Sequence, residues 1–159
     1  MIRSLLKRGM IRQVNNLLGR AYAISGKVLP GKKLGRKVGF KTANLALPTD
    51  LALPLFGVYY VQVRLAGADG QKIEAVANIG LRPTVCDDIK PLLEVHLLDF
   101  ADDIYEKQIR VEFVCLLRPE RKFADISALQ AQIQKDIKDV RFIIKQSEHF
   151  VADLAADFK

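Results

Sequence analysis

The stretch Val58-Tyr-Tyr-Val-Gln-Val-Arg-Leu65, Gly67-Ala-Asp-Gly70, Lys72-Ile-Glu-Ala-Val-Ala-Asn-Ile79 reads as two extended runs joined by a glycine-bounded turn. Tyr59, Val61, Val63 and Leu65 fall on one face of the first run; Tyr60, Gln62 and Arg64 fall on the other. That is the period of a strand, and the turn makes the pair an antiparallel hairpin. Working outward, residues 21–29, 42–47, 92–98 and 108–117 repeat the pattern. Six short strands with turns between them, and no long helix separating any two, predict a closed antiparallel barrel rather than a βαβ layout.

Helices are expected at both ends. Ile2, Leu5 and Leu6 mark one short piece and Ile11, Val14, Leu17 and Leu18 another, broken at Gly9 and stopped at Gly19. At the other end Ile126, Leu129, Ile133, Ile137, Val140 and Ile144 form a one-sided apolar stripe suited to packing, with Asp125 or Ser127 as its cap. Beyond Glu148 the pattern weakens, and fraying is expected.

The 159 residues are half hydrophobic and about a quarter charged, enough for one domain with a core. No apolar run approaches the roughly 20 residues that span a bilayer. Cys86 and Cys115 have no CxxC spacing, and Cys115 lies in an apolar run. Neither a zinc site nor a disulfide scaffold is implied, and a reducing cytoplasm fits. Residues 1–41 hold eleven Lys or Arg and no acid, within a net charge of +7. Such a segment attracts a polyanion, nucleotide or nucleic acid, or is simply a solvated basic face.

Three places could carry chemistry. Gly31, Gly35 and Gly39 recur every four residues among Lys32, Lys33, Arg36 and Lys37. This is either a phosphate cradle, where glycine lets backbone N–H groups approach an anion, or a basic hairpin loop. Thr42 and Asn44, two apart in an extended piece, share a face. They are either neutral oxygen ligands for a nucleotide-bound Mg²⁺ or residues that hold a turn. Glu94 interrupts the apolar run 92–98 and shares a face with His96. It is either a general base, at a barrel mouth or partly buried with a raised pKa, or a solvent-facing carboxylate. Arg82, before Pro83, could clamp a phosphate or pair with a surface acid. Neither the P-loop pattern nor G-x-G-x-x-G occurs.

Five ordered blocks bind these pieces together. Gly35-Arg-x-x-Gly-Phe-x-Thr-Ala-Asn-Leu45, Gly57-Val-Tyr59, Asn78-Ile-Gly-x-Arg-Pro-Thr84, Leu93-Glu-Val-His-x-Leu-Asp-Phe100 and Leu117-Arg-Pro-Glu-x-Lys-Phe123 resemble riboflavin kinase. The resemblance is to the C-terminal module of bacterial bifunctional FAD synthetases in particular. It implies a mainly β fold, a six-stranded antiparallel Greek-key barrel with a C-terminal helix and short N-terminal helices. It implies transfer of the ATP γ-phosphoryl group to riboflavin, giving FMN and ADP, with Mg²⁺ held by Thr42 and Asn44 and Glu94 as base. ATP and flavin contacts then fall to Gly31, Lys33, Gly35, Arg36, Gly39, Thr42, Asn44, Asn78, Arg82, Arg118 and Phe123, with the flavin ring near the segment leading to Phe123.

Residues 1–19 resemble the linker that follows an adenylyltransferase domain, which these 159 residues lack, and 20–159 the kinase barrel with its helix. FAD synthetase activity is not expected of them. A cytoplasmic protein with no membrane partner is expected. The rival classes are a weak or inactive flavin-binding barrel and a basic nucleic-acid-binding barrel. The second is disfavoured by the absence of Trp and by Tyr59 and Tyr60 pointing to opposite faces. Two departures from the family pattern stand out. Lys41 replaces a proline, and Glu106 follows Tyr105 where the family has a glycine, which puts an expected φ > 0 turn in doubt.

Overall fold

The six alternating runs become six strands because each has one face to bury, and closing the sheet buries all six at once without leaving an edge. In a computed structural model, residues 1–29, 42–48, 50–67, 71–83 and 89–157 are described, except for the side chains of 82, 83, 89 and 150–157. The elements run α1 (Ile2–Lys7), α2 (Ile11–Leu18), β1 (Ala23–Leu29), β2 (Thr42–Ala46), β3 (Gly57–Leu65), β4 (Lys72–Pro83), β5 (Ile89–Leu97), β6 (Gln108–Pro119) and α3 (Ile126–Asp157). The strands close in the order β1-β2-β5-β4-β3-β6, every pair antiparallel.

Alternation assigns the faces as expected. Ala43 and Leu45, Tyr59, Val61 and Val63, Ala75, Ala77 and Ile79, Leu93 and Val95, and Ile109, Val111 and Phe113 fill the interior. Tyr59 meets Phe113 edge-on with ring centroids 5.2 Å apart, and its hydroxyl donates to Leu55 O. Tyr60 faces the other way and is also buried, so neither tyrosine offers an open ring for stacking.

Several strands run past their expected bounds, β4 the furthest. Expected to end at Ile79, just before Gly80, β4 instead continues to Pro83, and β5 begins at Ile89 rather than at 92, with Gly80↔Leu92, Leu81↔Pro91 and Arg82↔Lys90 in register. The glycine is not a stop but a place of close approach within the sheet. A Cβ there would collide with Glu120 Oε1 and stand 2.9 Å from its Cδ.

The N-terminal helices belong to the same compact unit as the barrel, Met1–Lys122. Gly9, at φ 70, makes the break; a Cβ on it would lie 2.6 Å from Leu116 Cδ2 of β6. Gly19, left-handed at φ 64, ends α2. Leu6, Ile11 and Val14 join the barrel's core cluster. Asn15 bridges the join: its Nδ2 donates to Phe113 O at 2.8 Å and its Oδ1 accepts from Tyr22 N at 2.8 Å.

The second unit, Phe123–Lys159, is essentially α3. Asp125 caps it, Oδ1 accepting from Ala128 N at 2.8 Å. The expected stripe is unevenly covered: Ile137 and Val140 are buried, whereas Leu129 is exposed and Ile126 is 69% exposed. Periodicity reports which side of a helix is apolar, not how much of that side is covered. The helix runs to Asp157.

Candidate active site

The strand registers gather Thr42, Asn44, Glu94 and Asn78, which the sequence scatters over more than fifty positions. Asn44 of β2 is paired with Glu94 of β5, and Glu94 with Asn78 of β4. The same rung continues through Val58 of β3 to Arg118 of β6. On the next rung Thr42 is paired with His96. Directly opposed Cβ atoms in such pairs lie roughly 4.5–5.5 Å apart. Glu94 therefore stands between two carboxamides, one on each neighbouring strand, with a hydroxyl and an imidazole one step along.

All of these residues lie on the outer wall of the barrel, since Ala43, Leu45, Leu93, Val95, Ala77 and Ile79 occupy the inside. Thr42, Asn44, Asn78, Glu94, His96 and Arg118 are half-buried. Glu94 is thus neither at a barrel mouth nor fully solvated. Arg118 Nη1 reaches Pro119 O at 3.4 Å.

Asn44 bears the most direct sign of a missing partner. Its Oδ1 is buried and, among the described residues, accepts no hydrogen bond. A buried carbonyl oxygen left unsatisfied costs about 1–3 kcal/mol, so its retention needs a reason. A hard cation that takes neutral oxygens alongside phosphate oxygens supplies one. Thr42, on the same face two residues away, adds a second oxygen of the same kind. The donor set present fits a Mg²⁺ carried by a nucleotide.

Two other mid-strand carboxylates lie on this outer wall. Glu74 accepts from Tyr60 Oη at 2.6 Å and from Gln62 Nε2 at 3.1 Å. Glu112 accepts from Arg64 Nε at 3.0 Å and Arg110 Nε at 3.2 Å. Burial first, then the bond to Glu74 and its charge, push the Tyr60 pKa up.

Of the other expected contacts, Gly31, Lys33, Gly35, Arg36 and Gly39, together with Lys41, lie outside the described residues, as does Cys86. Arg82 is on β4 opposite Lys90. Phe123, half-buried, opens the helical unit. Glu106 does adopt the turn its side chain disfavours, at φ 64, with its N–H donating to Val28 O at 3.0 Å and its carboxylate paired with Lys27.

Residues 18–144 match the protein-family model described as Flavokinase, riboflavin kinase. The chain belongs to the riboflavin kinase family. A bifunctional riboflavin kinase/FMN adenylyltransferase of Pseudomonas fluorescens is 44% identical over 93% of this riboflavin kinase family member and 46% of its own length. The chain spans about half the length of the curated relatives it matches. Among solved structures, the riboflavin kinase of Trypanosoma brucei shares the fold at TM-score 0.54 and 22% identity, over 79% of this chain and 81% of that one. A chain described as a macrolide-efflux protein from Streptococcus pneumoniae matches at TM-score 0.78 and 32% identity, over 88% of this chain and 45% of that one. Among the described residues of this family member, no helix is long and apolar enough to cross a membrane.

Proposed function

We propose that this chain transfers the γ-phosphoryl group of ATP to the terminal ribityl hydroxyl of riboflavin, giving FMN and ADP. The observation that carries the reading is the rung Asn44–Glu94–Asn78, which sets a carboxylate beside the unpartnered oxygen of Asn44. Family membership points the same way.

Glu94 accepts the hydroxyl proton as the ribityl oxygen bonds to the γ-phosphorus, while the bond from that phosphorus to the β–γ bridging oxygen breaks and ADP leaves. Asn78, opposite Glu94, helps orient the carboxylate; an amide N–H₂ donates to it without competing for the proton. Thr42 and Asn44 would hold Mg²⁺ alongside the nucleotide. When bound, that ion supplies charge neutralisation on the phosphates. Such transfer is largely positioning and electrostatics, which a site with one carboxylate and a few neutral oxygens can deliver. Residues 31–39 cover ATP in this scheme, while Arg82, Arg118 and Phe123 contribute to substrate contacts. Residues 1–19 play the part of the segment between the kinase barrel and an adenylyltransferase domain in longer relatives. A cytoplasmic setting suits the free thiol of Cys115.

Incubation with riboflavin, ATP and Mg²⁺ tests the reading through FMN formation. Glu94→Gln keeps the fold and riboflavin binding and lowers turnover by at least ~10²-fold, the scale of a lost general base. Near-normal turnover in that variant overturns the base assignment. Flavin binding without any FMN in the wild type makes the chain an inactive flavin barrel instead.

A further inference from the structure

Another carboxylate reaches this wall on the Asn78 side of Glu94. Glu120 follows β6, and its N–H donates to Phe56 O at 3.0 Å, extending the β3–β6 ladder one step past Gly57↔Pro119. Its side chain crosses β3 and lies on Gly80 of β4, with Oε2 only 3.2 Å from where a Cβ at Gly80 would be. Gly80 stands two residues beyond Asn78 on the same face, and Asn78 is the partner of Glu94. Gly80 is therefore the diagonal neighbour of Glu94, at roughly 7–8 Å. Glu94 and Glu120 thus lie on either side of Asn78 on one face of the sheet.

The chemistry of a carboxylate narrows what this second group can meet. It only accepts hydrogen bonds, and its charge opposes a triphosphate. Of the two substrates in the proposed reaction, the one with several hydroxyl donors in a row is the polyol chain of the flavin. We infer that Glu120 is a specificity-determining residue that accepts hydrogen bonds from the secondary ribityl hydroxyls beside the one Glu94 deprotonates, and that Gly80 is its positioning residue. This rests on the kinase reading. Every side chain larger than hydrogen at position 80 takes the place of the Glu120 carboxylate.

The test compares riboflavin with lumiflavin, which keeps the ring and replaces the polyol with a methyl group. Binding of each is read by flavin fluorescence in the wild type, Glu120→Ala, Gly80→Ala and the double variant, with MgATP affinity measured alongside. Glu120→Ala weakens riboflavin about tenfold or more, the scale of hydrogen bonds to a charged acceptor, and leaves lumiflavin and MgATP within about twofold. Gly80→Ala, whose added methyl displaces only the end of a flexible side chain, reproduces that loss. The double variant is no worse than Glu120→Ala, as expected of residues acting as a unit. Equal weakening of riboflavin and lumiflavin overturns the inference in favour of a structural role. Weakened MgATP with riboflavin intact overturns it in favour of a nucleotide or metal contact. A wild type that binds no riboflavin removes the proposed function itself, a result distinct from both.

Discussion

Replacing Asn15 by alanine severs the link between α2 and the barrel at one point, and the structure sets the size of the effect. Asn15 makes two hydrogen bonds of 2.8 Å in opposite senses, donating to Phe113 O and accepting from Tyr22 N. Alanine satisfies neither. Tyr22 is buried and Phe113 is a core residue, so both backbone groups lose their partners where water has little access. At about 1–3 kcal/mol per unsatisfied group, the sum is roughly 2–4 kcal/mol after partial relaxation. For a chain of this size each kcal/mol moves the midpoint by about 2–4 °C, giving a drop in Tm of roughly 5–15 °C. Thermal unfolding by circular dichroism measures it. Asn15→Asp retains the acceptor for Tyr22 but faces Phe113 O with a charge, and should be no more stable than the alanine variant. A fall of less than about 2 °C in Asn15→Ala would refute the reasoning, because the two groups would then have found other partners.

Burial pushes the Tyr22 pKa up to about 12 from its ordinary 10, and raises those of Tyr59, with Tyr22 nearby, and Tyr60, beside Glu74. Each binds its proton more tightly folded than unfolded, so this stabilisation is complete below pH 10 and is lost as pH rises toward the folded values. Urea midpoints should therefore fall steeply above pH 10, with most tyrosinate absorbance appearing in the unfolding transition; titration of these rings near pH 10 in an intact fold would contradict this. At Glu106, φ 64 costs a non-glycine residue about 1–2 kcal/mol, partly offset in a glycine variant by a looser unfolded chain. Glu106→Gly should stabilise by about 0.5 kcal/mol and Glu106→Val, being β-branched, should destabilise by at least ~1 kcal/mol in chemical denaturation; the reverse order would show that the turn is not strained.

Much of the barrel was legible because a strand with one buried face writes its period into the chain. The antiparallel pairing of β3 with β4 and the helix breaks at Gly9 and Gly19 follow from local chemistry. The ends of β4 and β5 were not, since Gly80 signals both a stop and a close approach, and only the position of Glu120 decides between them. Within the site, side-chain types were readable but their adjacency was not. Register is a tertiary property, and nothing near Asn44 in sequence announces that Glu94 will lie opposite. Periodicity also could not separate Glu94 from Glu74 and Glu112; the register that sets Glu94 between Asn44 and Asn78 does so in space. Asn15 went unremarked because a polar residue on a short helix usually meets solvent. Glu106 shows the converse, a local preference overridden by the strands on either side.

The five residues of β2 contact β1 at only two register positions and β5 at five. Thr42 and Asn44 therefore reach Glu94 through a pairing between segments some fifty residues apart, a contact whose loop must close before it yields any gain. A slip of one residue would turn both oxygens into the apolar interior and bring Ala43 and Leu45 outside. Recovery of activity on refolding would then report this one strand's arrival, separately from the formation of the β3–β4 hairpin, and a chain trapped with β2 misaligned would be folded over most of its length and chemically silent.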